Sequence, residues 1–411
     1  MTKTKLLMLL SLLLLSSGCV PREKAPTIQV PDTSTYIPTQ TRVNIPQYNP
    51  PPPVVTTPPI IIPNSSPFNT IIETPPVVIN TPTQYTIPRS RYLGGAYGNN
   101  YKLKKFINKM VSKYNYDRYT LNTIFSTVSR DTEALRKYNV FKKAKPNQSK
   151  TTKVGSWDKY RANFITPSRI NKGVAFWHEN LYYLNKAAKT YGVAPEYIIG
   201  IIGVETNFGS YTGKHSVMDA LTTLAIEFKK RSKFFTGELE SYLLMIRDEK
   251  LDPQEIKGSY AGAFGLAQFM PTAFRQHAVD FDGDGHINLF TKADAIGSIA
   301  KYFIERGKWN NRIPVAVKTT YRKKRFYGLT TGFKTKYTQR HLLSLGMRPV
   351  SNFYGYRGDV SLIKLSRYSR DELWWGTDNF YAITRYNPKD HYAMAVHQLA
   401  QEVKKAYFRE R

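Results

Sequence analysis

Cysteine is almost absent from this 411-residue sequence, which contains only Cys19. A single cysteine excludes an intramolecular disulfide, and outside that position there is no thiolate metal ligand and no cysteine nucleophile. Acidic residues are scarce as well: 30 Asp and Glu stand against 60 Lys and Arg, a formal net charge of +30. So basic a chain favours polyanionic surroundings such as nucleic acid, anionic lipid or an acidic cell-wall polymer. The sequence lacks an aromatic RNA-binding motif, and we expect no nucleic-acid partner.

The N-terminal apolar run, Leu6–Leu15, is too short to span a bilayer comfortably. It follows a basic start and precedes small residues, which is the order of a secretory signal. Small residues before Cys19 resemble the processing site of bacterial lipoproteins. The resemblance implies a signal peptide over 1–18, a lipid on Cys19 and, because Val20 follows, an outer-membrane lipoprotein that faces the periplasm. The alternative is a stray thiol within a discarded signal.

Proline is concentrated near the N-terminus, with 17 of the 25 prolines between Pro21 and Pro88. Such chain cannot build a helix or a central strand and prefers the extended polyproline II conformation. We therefore predict a tether over 19–95 that joins a lipid anchor to a folded region over 96–411. The alternative is a docking site for a partner protein that binds proline motifs.

Beyond about Tyr101, apolar residues recur at helical spacing. The clearest predicted helices are Val174–Thr190, Met218–Phe228, Phe234–Ile246 and His391–Tyr407. Short alternating segments such as Val360–Leu365 indicate strands, with a short helix near 337–345. The predicted fold class is mainly α (α+β). A helical core over 96–310 and 384–411 would carry a small inserted antiparallel β domain over 311–383.

Glu205 follows a very apolar helical segment that begins at Pro195. Proline suits the first turn of a helix, and Gly209 is the predicted stop, which places Glu205 in the last turn. Burial and the negative end of the helix dipole both favour the neutral carboxyl and raise its pKa. A raised pKa suits a general acid that works near neutrality. A glutamate capped by arginine or backbone donors fits these residues equally well.

A glycine-rich segment follows at 258–271. Its three glycines within eight residues allow the backbone to approach a ligand closely, and Gln268 offers an amide beside apolar neighbours. Taken alone, the segment would fit a helix–helix contact through small residues as well as it fits a binding site.

Together, the sequences GVETNFG at 203–209 and GAFGLAQFMP at 262–271 closely resemble the membrane-bound lytic murein transglycosylase B family. The resemblance extends from about Phe106 to Tyr407. Further matching segments are Gly155-Ser156-Trp157, Tyr160-Arg161, Phe164-Ile165-Thr166-Pro167, Asn379-Phe380-Tyr381 and Thr384-Arg385-Tyr386-Asn387. The resemblance implies a lysozyme-like helical core with a single catalytic glutamate, a flanking helical domain and a small β domain.

The resemblance also implies an activity, the cleavage of the MurNAc-GlcNAc β-1,4 bond of peptidoglycan with formation of 1,6-anhydromuramic acid ends. Its acid and base would be Glu205. The implied saccharide-binding residues are Tyr160, Ser259, Gln268, Tyr302, Tyr386, Asn387 and Tyr392. The implied partner is the peptidoglycan glycan strand, with no organic cofactor, and a monomer is assumed.

One carboxylate suffices for this reaction because the sugar's own 6-hydroxyl replaces water as the acceptor. A hydrolytic muramidase, the first alternative, would need a second carboxylate to activate water. Glu227, Glu238, Glu240 and Asp248 are expected on solvated helix faces and are given no role. A non-enzymatic peptidoglycan-binding lipoprotein is the second alternative.

An acidic loop at 280–287 has the alternating oxygen donors and the sixth-position glycine of an EF-hand. Thr291 occupies the twelfth position and cannot supply a carboxylate, but Asp294 could close a longer loop. The family resemblance implies structural Ca²⁺ in such a loop. The implied ligands are Asp280, Asp282, Asp284, the backbone carbonyl of His286, and Asp294. An aspartate-rich turn without metal is the alternative.

Overall fold

The computed structural model describes residues 88–138, 154–322, 325–353 and 355–410. The predicted signal peptide, Cys19 and the tether up to residue 87 lie outside these residues. Among the described residues, no helix combines the length and the apolar character needed to cross a membrane.

Fourteen α-helices account for most of the described chain. They are α1 Tyr101–Tyr114, α2 Arg118–Ser126, α3 Thr132–Lys137, α4 Ser156–Arg161, α5 Pro167–Glu179, α6 Leu181–Tyr191, α7 Pro195–Thr206, α8 Val217–Glu227, α9 Ser232–Asp248, α10 Pro271–His277, α11 Lys292–Glu305, α12 Gln339–Ser344, α13 Asp378–Tyr386 and α14 Asp390–Tyr407. Most helices begin at a polar residue whose side chain accepts from a first-turn N–H, as Asn100 does for α1.

The strands form two antiparallel sheets in the described chain. They are β1 His215–Ser216, β2 Lys257–Gly258, β3 Ala316–Tyr321, β4 Lys336–Tyr337, β5 Met347–Pro349, β6 Val360–Leu365 and β7 Glu372–Gly376. The larger sheet has the order β4-β6-β7-β3-β5, and β1 pairs with β2. The larger sheet has its own apolar core, which includes Trp375 and Leu362, beside the main helical core. The predicted fold class, mainly helical with a small antiparallel sheet, is confirmed.

The predicted helix Val174–Thr190 is wrong in one respect, because it is two helices separated at Asn180. Both the backbone N–H and the side-chain amide of Asn180 donate to the carbonyl of Phe176. A side chain that bonds to nearby backbone in this way competes with continued helix.

Two predicted ends also differ from the structure. Helix α7 stops at Asn207 rather than at Gly209, and Asn207 adopts the left-handed conformation with φ 50°. Asparagine tolerates this conformation better than other non-glycine residues. The predicted β region, 311–383, contains the larger sheet, but its last strand ends at Gly376. The Thr377 side chain then accepts from the backbone N–H of Asn379 and begins α13.

Helix α7 lies in the middle of the helical core and packs closely against α14. Ile198, Ile199, Ile201 and Ile202 are fully buried. At Gly200 the two helices approach so closely that an added Cβ would lie 2.9 Å from the carbonyl oxygen of Val396. A side chain at this position would therefore push the backbones of α7 and α14 apart.

We predict that Gly200→Ala lowers the free energy of unfolding by about 1–3 kcal/mol, the usual cost of overpacking a core. The matched control is Gly237→Ala in α9, where an added Cβ meets nothing within 4 Å. That substitution should raise the free energy of unfolding by about 0.5–1 kcal/mol, because alanine favours helix. Denaturant titration of both variants measures the two changes. Equal effects would contradict the close packing of α7 on α14.

Candidate active site

Glu205 occupies the last turn of α7, as predicted, and its side chain is partly buried. The helix that carries it is held at its end by Thr206, whose hydroxyl donates to the carbonyl oxygen of Ile202 and accepts from the N–H of Gly209. Asn207, Phe208 and Gly209 then all take positive φ. This run turns the chain away sharply and fixes the position of Glu205 at the end of the helix.

Two tyrosines lie close to the Glu205 carboxylate. The Tyr392 hydroxyl, from α14, donates a 2.6 Å hydrogen bond to Oε1 of Glu205. Burial first, and then the Glu205 charge, raise the pKa of Tyr392 well above its ordinary value. The same two causes, in the same order, raise the pKa of Tyr160. Both phenols therefore stay protonated, and Tyr392 serves as a hydrogen-bond donor to the carboxylate.

A cavity of about 370 Å³, here called the Glu205 cavity, opens beside this carboxylate. Four of the predicted saccharide-binding residues line it: Ser259, Gln268, Tyr302 and Tyr386. The other three, Tyr160, Asn387 and Tyr392, are not part of its wall. Asn387 directly follows Tyr386 and is almost completely buried, and its Oδ1 has no hydrogen-bond partner among the described residues.

The glycine-rich segment folds into turns that fix Ser259 and Gln268. The Ser259 hydroxyl accepts from the N–H groups of Ala261 and Ala263 at 3.3 and 3.0 Å. Gln268 has φ 50°, and its Nε2 donates to the carbonyls of Thr212 and Gly265 at 2.9 and 3.0 Å. With both side chains held by backbone, the cavity wall is already formed in the free protein.

Ser259 also lines a neighbouring pocket of about 300 Å³, whose other walls include Tyr211, His215 and Tyr260. Ser259 is therefore shared by the walls of the two pockets.

Aromatic rings form another wall of the Glu205 cavity. The rings of Tyr302 and Tyr386 lie 5.0 Å apart, and the Phe269 ring is 5.5 Å from that of Tyr302. The Tyr386 hydroxyl donates to the carbonyl of Ala267 at 2.5 Å, and the Tyr302 hydroxyl donates to that of Arg385 at 2.7 Å. Burial raises the pKa of both phenols. This part of the wall is therefore aromatic, and its two phenols stay neutral.

Glu238 was expected on a solvated helix face, and this prediction is wrong. Its side chain is buried and lines the Glu205 cavity, where it accepts from the N–H of Thr272 at 2.9 Å. Burial raises the pKa of Glu238. The sequence did contain a signal, since Glu238 lies three residues after Phe235 and four before Tyr242, both fully buried on α9. That spacing puts Glu238 on the apolar face of the helix.

The other acids set aside in the sequence are paired. Glu227 accepts two hydrogen bonds from Arg130, and Glu240 pairs with Lys109. Three arginines also line the Glu205 cavity, Arg231, Arg306 and Arg385. Sequence reasoning did not single them out, because basic residues are common throughout this chain.

The acidic loop brings three of the predicted metal ligands together. Asp280, Asp282 and Asp294 each offer a carboxylate oxygen, and these atoms lie within 4.8 Å of one another. Asp284 is not in this group; its Oδ1 accepts from the N–H of His286. Asp294 is almost completely buried and accepts from the N–H groups of Phe281 and Asn288. Burial first, and then the neighbouring aspartates, raise the pKa of Asp294.

Oxygen donors of this number and closeness suit a hard cation such as Ca²⁺. Asp280 is held in place by the N–H groups of Gly283 and Gly285, at 2.6 and 2.8 Å. The N–H of Gly285 is the leading cause of a lowered pKa for Asp280. The residues present therefore fit a calcium ion.

Comparison with known proteins shows that the chain matches a known family. The family described as transglycosylase SLT domain matches residues 98–401. The membrane-bound lytic murein transglycosylase B of Escherichia coli (strain K12) is 45% identical over 318 residues, which are 76% of this chain and 85% of that protein. A structure of the Escherichia coli lytic transglycosylase SLT35 in complex with calcium is 44% identical. Its TM-score is 0.71, and the match covers 77% of this chain and 97% of that chain.

A more distant structure, SltB3 from Pseudomonas aeruginosa in complex with NAG-NAM-pentapeptide, is 26% identical. Its TM-score is 0.65, and the match covers 74% of this chain and 79% of that chain. These likenesses confirm the predicted lysozyme-like fold class. The family match spans most of the chain, and the match to the Escherichia coli relative covers 85% of that protein. This chain therefore belongs to the family of transglycosylases with an SLT domain.

Proposed function

We propose that this enzyme is a lytic transglycosylase that cleaves the β-1,4 bond between N-acetylmuramic acid and N-acetylglucosamine in peptidoglycan, with Glu205 as both acid and base. One observation carries the proposal: the Glu205 carboxylate lines a preformed cavity, at the end of an apolar helix, and is held by the Tyr392 hydroxyl. Family membership indicates the reaction class, and the similarity to a murein transglycosylase indicates that the substrate is peptidoglycan.

The reaction needs only one proton carrier. Protonated Glu205 gives its proton to the glycosidic oxygen, the C1–O bond breaks, and the 2-acetamido group of the muramic acid stabilises the cation at C1. The Glu205 carboxylate then takes the proton of the 6-hydroxyl, whose oxygen bonds to C1 and closes the 1,6-anhydro ring. Glu205 ends in the protonation state in which it started.

The surroundings of Glu205 support this cycle. The donor from Tyr392 stabilises the carboxylate that forms after the first step. Phe269, Tyr302 and Tyr386 add an aromatic face to the cavity beside this carboxylate. The expectation that the pKa of Glu205 itself is raised stays a prediction.

Hydrolysis is the second candidate reaction, and Glu238 is the observation that favours it. This second carboxylate lines the same cavity and could in principle activate a water molecule. Burial raises the pKa of Glu238, and its carboxylate already accepts a hydrogen bond from the Thr272 N–H. Family membership and the similarity to lytic murein transglycosylase B favour transglycosylation.

We predict that Glu205→Gln lowers turnover of peptidoglycan by about 10²–10⁴-fold, because the amide keeps the shape but cannot carry the proton. Binding to purified sacculi should be retained. Mass spectrometry of the native enzyme's products should find 1,6-anhydromuramic ends. Near-native turnover by the variant would remove Glu205 from the mechanism.

The matched control is Glu238→Gln, which replaces the other carboxylate of the cavity. If water were the acceptor and Glu238 its base, the native products would carry reducing muramic ends. The Glu238→Gln variant would then no longer form products with reducing ends. We expect that anhydro ends are the products of both proteins. Thermal melts of both Gln variants check that neither has lost its fold.

We propose that the acidic loop holds a structural calcium ion. Asp280, Asp282 and Asp294 would be its carboxylate ligands, with the backbone carbonyl of His286 and with Asp284 as further oxygen donors. A cation would relieve the repulsion among carboxylates that lie so close together, one of them buried. A relative crystallised with calcium gives further support. No organic cofactor is indicated.

We predict that calcium raises the melting temperature and that chelation removes the increase. A ligand that binds only the native state at 100 times its dissociation constant adds about 2.7 kcal/mol to the free energy of unfolding. Asp282→Ala should abolish the response, whereas Asp359→Ala, at an exposed position outside the loop, should keep it. Asp284→Ala tests the remaining predicted ligand. Identical melts of the native protein with calcium and with chelator would contradict the site.

We propose that a lipid on Cys19 anchors the enzyme to the periplasmic face of the outer membrane. The tether was predicted over 19–95, but Arg89 pairs with Asp117 and the Gly94 N–H donates to Ser126, so we propose that the tether ends before Arg89. The support is the order of residues at the N-terminus, the proline-rich composition and the membrane-bound relative from Escherichia coli. A tether of this kind would let the folded region reach glycan strands at some distance from the membrane.

We predict that Cys19→Ala releases a periplasmic form that still cuts peptidoglycan, since the folded region is unchanged. Ser17→Ala, which keeps the cysteine, should stay in the membrane fraction. Fractionation followed by an activity assay measures both. A Cys19→Ala protein that remains in the membrane fraction would contradict the lipid anchor.

A further inference from the structure

A second cavity lies near the N-terminal end of α7, whereas Glu205 lies at the C-terminal end. Its volume is about 540 Å³, and its walls come from α7, α14, β3 and β7. We call it the Trp374 cavity, after the tryptophan of β7 in its wall. It contains none of the residues that the sequence suggested for the catalytic cleft.

Four ring side chains take part in its lining: Tyr197, Trp309 and His397, which are buried, and Trp374, which is half-buried. The Tyr197 ring lies 5.0 Å from that of Trp309 and stacks on the imidazole of His397 at 6.0 Å. The Trp374 ring meets His397 edge-on at 5.8 Å, and its N–H donates to Glu372 at 2.8 Å. Burial lowers the pKa of His397 to about 4, so the imidazole is neutral at neutral pH.

The charges in the described lining are all paired. Lys404 contacts Glu196 at 2.8 Å, and Lys318 contacts Glu372 at 2.8 Å. A charged ligand such as an acidic peptide or a lipid phosphate would have to compete with these pairs, whereas a neutral ligand leaves them intact. The lining therefore favours a neutral, polar molecule.

Polar side chains surround this aromatic lining. Asn311, Ser351 and Gln401 are exposed and line the cavity, and the amide of Gln401 donates to the Tyr197 hydroxyl. The indole N–H of Trp309 is buried and has no acceptor among the described residues. The polar groups available to a ligand are therefore the exposed side chains of Asn311, Ser351 and Gln401.

We propose that the Trp374 cavity is a second saccharide-binding site that holds an N-acetylated sugar of the glycan strand outside the catalytic cleft. Aromatic faces pack against the C–H faces of a pyranose ring, while amides and hydroxyls bond to its hydroxyl and acetamido groups. For the choice of ligand, this inference rests on the proposed function. The cavity volume is larger than that of the Glu205 cavity, which is proposed to hold the same polymer.

The position of the Trp374 cavity indicates how a second saccharide-binding site would help the reaction at Glu205. Tyr197 and Glu205 lie on the same helix, about 12 Å apart along its axis at roughly 1.5 Å per residue. Helix α14 likewise contributes Tyr392 to the catalytic carboxylate and His397, Gln401 and Lys404 to the Trp374 cavity. A second contact so close to the first raises the local concentration of glycan at Glu205 without new chemistry.

Calorimetric titration with chitotetraose, a neutral N-acetylated sugar without a stem peptide, tests the proposal. The titrated protein is the full chain carrying Glu205→Gln, which binds but does not cut. We expect two molecules bound per chain. Adding Trp374→Ala should leave one chitotetraose molecule bound per chain. Ser351→Trp, which fills the cavity from an exposed position, should have the same effect. It keeps the test decisive if Trp374→Ala fails to fold. Tyr182→Ala, at an exposed aromatic outside both cavities, should leave two.

Co-sedimentation with purified sacculi adds a second readout. Because two linked contacts bind more tightly than either alone, the two cavity variants should be retained about tenfold more weakly than the parent. One chitotetraose per chain in the parent, or two in both cavity variants, would overturn the inference. A parent that binds two but yields reducing ends in its active form would instead contradict the proposed function and leave the second site standing.

Discussion

The close packing of α7 against α14 is the constraint on which the rest of the structure depends. Gly200 permits it, because a Cβ there would meet the carbonyl oxygen of Val396. The contact places Tyr392 of one helix within hydrogen-bond distance of Glu205 on the other. A wider separation would leave the carboxylate at the negative end of its own helix dipole without this donor. The packing of these two helices therefore also determines the geometry around Glu205.

The electrostatics of the cleft follow from what surrounds that carboxylate. Its near neighbours Tyr160 and Tyr392 are phenols whose pKa values are raised by burial and by Glu205 itself, so they stay neutral. Arginines such as Arg231 and Arg385 add basic charge to the wall of the same cavity. A neutral phenol that donates to a carboxylate stabilises its ionised form less strongly than a cation does, which leaves the carboxyl easier to protonate.

Patterns in the sequence predicted many residues of this site. The features that were missed depend on contacts that those patterns do not show. The apolar residues before Glu205 placed it in the last turn of α7, and motif resemblance picked out Ser259, Gln268, Tyr302 and Tyr386 as a group. Glu238 was missed because a single glutamate on an amphipathic helix is normally solvated. Its burial depends on α10, where the backbone N–H of Thr272 donates a hydrogen bond to the Glu238 carboxylate. The break at Asn180 was missed because a side-chain bond to Phe176 leaves no trace in hydrophobic periodicity.

Helices α7 and α14 also fix the positions of the Glu205 cavity and the Trp374 cavity relative to each other. A helix is rigid over twelve residues, so the ring of Tyr197 and the carboxylate of Glu205 keep a fixed separation whatever the surface loops do. Trp374 joins from the larger sheet, and its N–H bond to Glu372 sets the orientation of the ring. The inserted sheet therefore does more than cover the helical core: it completes a wall that the helices alone would leave open. The charges of Lys404 and Lys318 at this cavity are balanced by Glu196 and Glu372.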